Sequence, residues 1–258
     1  MKNSVRLGRY FLTTAIVAFG ILQLVQADFV RLIPKLPTWI PWHPFWARLV
    51  GVAFVAIGLA IATGKKARQA AALLAILLFL VAVLLYPPQI AKNPMAGFMW
   101  TNPCKTLALF GGAVLLSGIP RKEEKPGSSV VDSPKEKLSF FAAIFLGVFL
   151  LVCGVQHFVY VDFVMTMVPQ WLPGLRFWAY FTGTALIAGG IGILYPKTAK
   201  WAAALSDVMI FLWVPLVHLP RALANLHNAG EMAGVFEALA LSGVAFLILG
   251  TQPHNKVG

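Results

Sequence analysis

The feature that most constrains this chain is a series of long apolar runs. A helix needs about 20 apolar residues to cross the hydrocarbon core of a bilayer. Eight runs approach that length, over residues 9–28, 45–63, 67–87, 104–119, 138–157, 176–195, 199–218 and 235–250. None alternates apolar and polar residues as a barrel strand does. The expected fold is an all-α polytopic membrane protein with eight transmembrane helices. Its first expected partner is therefore the lipid bilayer.

Composition supports the same class. Charged residues make up only 12% of the 258, against roughly 25% in soluble domains. Two cysteines in a chain this long exclude a disulfide-stapled fold. The net charge of +12, from 21 Lys and Arg against 9 Asp and Glu, would point a soluble protein toward a polyanion. Here the basic residues gather in short connections instead. Lys65, Lys66 and Arg68 separate the second and third runs, and Lys197 and Lys200 the sixth and seventh. Lys2, Arg6 and Arg9 lead the first run, and Arg121, Lys122 and Lys125 lie in the central linker. With eight spans all of these fall on one side. The positive-inside rule makes that side cytoplasmic, together with both termini. The expected location is a bacterial-type inner membrane, with no nucleic acid partner. Val25-Gln26-Ala27 loosely resembles a signal-peptide cleavage site. The first run has an internal counterpart, however, so it is expected to be retained as a span.

That counterpart belongs to a duplication, in which the second half of the chain matches the first. Gly20 aligns with Gly154, Asp28-Phe29-Val30 with Asp162-Phe163-Val164, and Phe45-Trp46-Ala47 with Phe177-Trp178-Ala179. From that last match one ungapped register pairs Gly51 with Gly183, Pro88 with Pro220, and Leu107-Ala108-Leu109 with Leu239-Ala240-Leu241. Four spans per copy return the chain to its starting side, so the copies are expected to be parallel tandem repeats. The division is a first four-helix repeat over 1–119, a polar cytoplasmic linker over 120–137 and a second repeat over 138–258. In each copy a Pro/Trp-rich loop follows the first span, and reads as an interfacial aromatic belt, with a lid over a site as the sharper alternative.

The residues 154–158 (Gly-Val-Gln-His-Phe), the loop 168–173 (Val-Pro-Gln-Trp-Leu-Pro) and His218-Leu219-Pro220-Arg221 with Asn225 resemble the DoxX-like family of small four-helix membrane proteins. Trp100-Thr101-Asn102 with Lys105 resembles the opening of that family's fourth helix. The resemblance covers nearly the whole chain as two copies. The family is functionally mixed; some members are membrane subunits of thiosulfate:quinone oxidoreductase and others are linked to redox stress. What the resemblance implies is quinone-linked redox work. The chain departs from the family in being a fused pair and in lacking the family-like histidines in its first copy.

Differences between the copies suggest where a site has been kept. Gln23 stands where the second copy has His157, Tyr86 for His218, Ala75 for Asp207, Gln89 for Arg221 and Lys105 for Glu237. An ionisable side chain in hydrocarbon is costly and marks a functional site by default. The expected catalytic residues are His157, His218 and Glu237, at the outer end of the second repeat. A histidine there can shuttle protons or hydrogen-bond a quinone carbonyl, and a dehydrated Glu237 can carry a proton. Asp162, Arg221 and Asn225 are the expected ligand-binding groups. The bland alternative is that the histidines only donate to backbone carbonyls and stitch helices together. No metal site is expected, since no H-x-x-x-H or E-x-x-H spacing occurs. Quinone is the leading cofactor, with haem on His157 and His218 a weaker one. Cys104 and Cys153 form no C-x-x-C pair. Competing readings are a subunit that scaffolds a respiratory or other membrane complex and, less favoured, a secondary transporter.

Overall fold

A computed structural model describes residues 2–94, 96–119 and 134–252. Among them every regular element is helical. The linker residues 120–133 and the tail 253–258 lie outside the described residues. The helices are α1 (Lys2–Gln26), α2 (His43–Thr63), α3 (Ala67–Leu80), α4 (Pro87–Lys92), α5 (Phe98–Ser117), α6 (Pro134–Val159), α7 (Val161–Met165), α8 (Leu175–Leu194), α9 (Ala199–Trp213), α10 (Leu219–Ala224) and α11 (Ala229–Thr251). A π-helical turn, Val81–Leu85, joins α3 to α4, and another, Val214–His218, joins α9 to α10. Proline lacks an N–H and its ring crowds the carbonyl four residues back, so Pro88 and Pro220 account for the local opening of each rod.

Seven of these rods are long and apolar enough to cross a membrane. The eighth long helix, α5, has 20 residues but carries Thr101, Asn102 and Lys105 in its first half, which lowers its apolar character. It also starts at Phe98, ahead of the expected 104, because those polar residues face neighbouring helices. α6 begins at Pro134, so the last residues of the expected linker are helical. Large apolar side chains such as Leu59, Ile76, Leu84, Ile191 and Leu205 stand exposed around the bundle. Water tolerates no such continuous surface, whereas lipid does.

Element starts recur in one register. α2 and α8 begin at 43 and 175, α3 and α9 at 67 and 199, and α4 and α10 at 87 and 219, the same interval each time. The indole N–H of Trp46 donates to Pro41 O, and that of Trp178 donates to Pro173 O, both at 3.1 Å. Trp39, Trp42 and Trp171 are exposed, in keeping with an interfacial belt.

The packing order closes a ring: α1, α2, α3, α5, α6, α8, α9, α11 and back to α1. α11 also meets α5 and α6 across the ring. It is the most enclosed of the seven apolar rods, with 72% of its most apolar stretch buried against at most 44% in the other six. Contacts of Gly8 with Leu247 and of Phe19 with Phe236 run α1 and α11 in opposite directions. Small residues let rods approach closely where no water drives association. A Cβ on Gly20 would sit 2.6 Å from Gly51 O, and one on Gly154 would sit 2.9 Å from Gly183 O.

Gly154→Leu should therefore force α6 off α8. The expected cost is about 1–3 kcal/mol, as for other overpacked interiors, read as a lower unfolding midpoint in detergent.

Candidate functional site

The segment after α1 does not leave the bundle. Phe29, Val30, Leu32 and Ile33 are all buried, although their backbone is irregular. Irregular backbone at such a place needs internal partners. Leu32 O accepts from Tyr86 Oη at 3.0 Å and from Thr106 Oγ1 at 3.2 Å. Tyr86 follows the first π-helical turn, which delivers its hydroxyl to that carbonyl. Arg31 has φ 25°, in the left-handed region that non-glycine residues rarely use. The tuck of this segment accounts for the strain, since it aims the guanidinium at α11.

There it meets a buried ion pair. Lys105 Nζ lies 2.7 Å from Glu237 Oε2 and donates also to Asn102 Oδ1 at 3.3 Å. Arg31 Nη1 is 3.9 Å from the same Glu237 oxygen. Glu237 is 4% exposed and Lys105 9%. The other carboxylate oxygen, Oε1, is buried with no hydrogen-bond partner among the described residues. His218, at the end of the second π-helical turn, packs on Gly234, one turn from Glu237. A Cβ at 234 would lie 2.9 Å from its Nδ1 and 3.6 Å from Arg31 Nη1. Glycine at 234 is thus what allows both side chains to lie against α11.

One cavity adjoins this cluster, and a second adjoins the first. One, of about 280 Å³, is lined by Phe29, Arg31, Lys35, Tyr86, Gln89 and Asn102 among others. The second, of about 290 Å³, is apolar and includes Phe29, Ile33, Trp46, Phe54, Leu77 and Leu85. They share Phe29 and Ile33 as walls. One presents cations, a phenol and amides; its neighbour presents almost only carbon.

The structure sorts the residues expected from the sequence. Glu237 and His218 join the cluster. His157 does not: its Nδ1 bonds Cys153 O at 2.7 Å, and its ring stacks on Trp213 with centroids 6.4 Å apart. The carbonyl belongs to its own helix, and only the Trp213 ring, on α9, ties it to another rod. Arg221 grips Glu231 through two bonds, of 2.7 and 3.1 Å, and donates to Thr166 O. Asp162 is exposed and pairs with Arg176 at 3.2 Å. Asn225 is exposed, and its carbonyl accepts from Asn228 N in the turn into α11. Among the described residues no three His, Cys, Asp or Glu side chains gather to hold a metal ion. Cys104 and Cys153 are free thiols.

Sequence reasoning misses four residues of the cluster as site residues: Arg31, Tyr86, Asn102 and Lys105. For Lys105 a signal exists, its opposite charge to Glu237 at the matching position of the other copy. For Arg31 and Tyr86 nothing local marks a contact made through a tucked loop.

The profile of a family described as Domain of unknown function (DUF8561) matches residues 146–242. No curated protein and no solved structure matches the chain.

Removing one member of a buried ion pair costs about 3–5 kcal/mol when the other charge is left uncompensated. Lys105→Met leaves Glu237 with the longer contact to Arg31, so it should lose less than that in detergent. Adding Glu237→Gln to it should recover most of the loss, because the weakly paired carboxylate is then gone.

Proposed function

We propose that this chain is a DoxX-like, redox-linked integral membrane protein that binds a quinone or similar lipophile. In this reading eight helices span the bilayer as two parallel tandem repeats of four, with both termini cytoplasmic. The matched element starts of the two halves and their matched Trp–Pro hydrogen bonds support the repeats. The basic short connections support the orientation. The site then opens at the extracytoplasmic end.

The observation that carries the proposal is the pair of adjoining cavities, one polar and one apolar, with two common walls. A lipophile with a compact polar head needs both. Its head lies by Arg31, Tyr86 and Asn102, and its chain runs past Ile33 toward Phe54 and Leu77. Arg31 can donate to a quinone carbonyl. Glu237 lines neither cavity, but its Oε2 lies 3.9 Å from Arg31 and its Oε1 has no hydrogen-bond partner among the described residues; in this reading that carboxylate takes up the proton that reduction of the head requires. The second repeat thus supplies Glu237 and His218, while the first supplies most of the cavity wall.

The test is ligand stabilisation of the purified protein. A short-chain quinone at about 100 times its Kd stabilises a folded protein by about 2.7 kcal/mol. The shift should appear in the wild type and in His157→Ala, and should be lost in Arg31→Ala and weakened in Tyr86→Phe. No shift in the wild type, with a membrane partner copurifying in fixed ratio, would instead support the scaffold reading.

A further inference from the structure

Asp207 lies about two turns into α9 and plays no part in the cluster described above. It is 2% exposed. Its carboxylate oxygen Oδ1 accepts from Ser242 Oγ of α11, and no cation pairs with it among the described residues. The charged groups on the neighbouring elements have other partners or are exposed. On α6, which reaches α9 through the stack of His157 on Trp213, His157 bonds Cys153 O, and Glu136 and Lys137 at the start of that helix are exposed. On α8, Arg176 is bonded to Asp162. On α11, Glu231 is held by Arg221, and Glu237 by Lys105. On α1, which reaches α9 through the stacked rings of Phe11 and Phe211, Arg9 donates to Ile61 O and Arg6 is exposed. On α9 itself Lys200 is exposed, and beyond it His218 packs on Gly234.

The fold does not require this pair. In the register that aligns the halves, Ala75 matches Asp207 and Phe110 matches Ser242. The Phe110 ring packs there on Phe79, Phe141 and Phe145, and Ala75 is buried. Carboxyl and hydroxyl are thus present together in one half and absent together from the other. A carboxylate in hydrocarbon with one hydroxyl for company is strongly disfavoured, whereas a carboxylic acid is not.

We infer that Asp207 is a proton-binding site: its carboxyl is neutral in the folded chain and bonds Ser242 as an acid. The ligand is a proton, since a single hydroxyl offers a metal ion too few donors. This does not rest on the lipophile reading, and either can fail alone.

Infrared spectroscopy of the purified full chain in detergent at neutral pH reads the protonation directly. A C=O stretching band of a protonated carboxyl should be present in the wild type and absent in Asp207→Asn. Asparagine fills the same volume and can still accept from Ser242, so the variant should keep the wild-type unfolding midpoint at neutral pH. N,N′-dicyclohexylcarbodiimide, which adds whole to a protonated carboxyl to give an N-acylurea, should modify Asp207, as peptide mass spectrometry would report. Raising the pH should weaken the band and the adduct together. Ser242→Ala, which removes the partner, should shift the band. An Asp207→Asn spectrum with the protonated band intact, or a wild-type spectrum lacking it at neutral pH, would overturn the inference.

Discussion

The buried contact between Lys105 and Glu237 sets the terms for everything around it. Each ion alone would cost several kcal/mol in such a place, so neither helix can move away from the other without exposing that penalty. The contact joins α5 to α11, the most enclosed of the seven apolar rods. Its two residues stand 132 apart, which is the spacing between the copies. On the proposed repeat arrangement they are equivalent positions meeting at the axis between the halves. Two identical halves would bring together two lysines or two glutamates there. A tethered pair of copies can diverge, and opposite charges on the axis are what divergence makes available. The same contact holds the α11 face against which Arg31 and His218 lie.

The halves then differ in the segment after their first helix. After α1 the chain folds inward, burying Phe29, Leu32 and Ile33, and its Leu32 carbonyl is held by Tyr86 and Thr106. After α6 the chain enters the short helix α7, where Asp162 and Phe163 stand exposed. The inward fold builds the walls of both cavities. The cavities are therefore lined from the first half, while Glu237 and His218 reach the cluster from the second. On the proposed reading, the proton-holding groups and the walls that hold the ligand come from different copies.

Much of the architecture was legible in the sequence for a simple reason. Helices in lipid satisfy their own backbone and show it as apolar runs. Hydropathy places the start of α5 too late because it treats Asn102 and Lys105 as water-facing. Within the bundle one bonds the other, and Lys105 pairs with Glu237. Glu237 and His218 were legible as ionisable residues where apolar ones were expected. His157 carries the same signal, yet its partner is the backbone one turn back on its own helix. Composition cannot separate those two fates. Arg31 is hidden for the opposite reason: it looks like an ordinary loop cation, and only the tuck of its segment brings it to α11.

If the inward-folded segment of the first half forms the wall of a lipophile site, a bound lipophile must touch it. Photocrosslinking tests this most directly, with a diazirine-bearing isoprenoid quinone added to membranes containing the full chain and the adducts mapped by peptide mass spectrometry. Adducts should fall within residues 29–40 and 77–89, and excess unmodified quinone should suppress them. Adducts confined to the neighbourhood of His157 and Trp213 would contradict a site built on that segment.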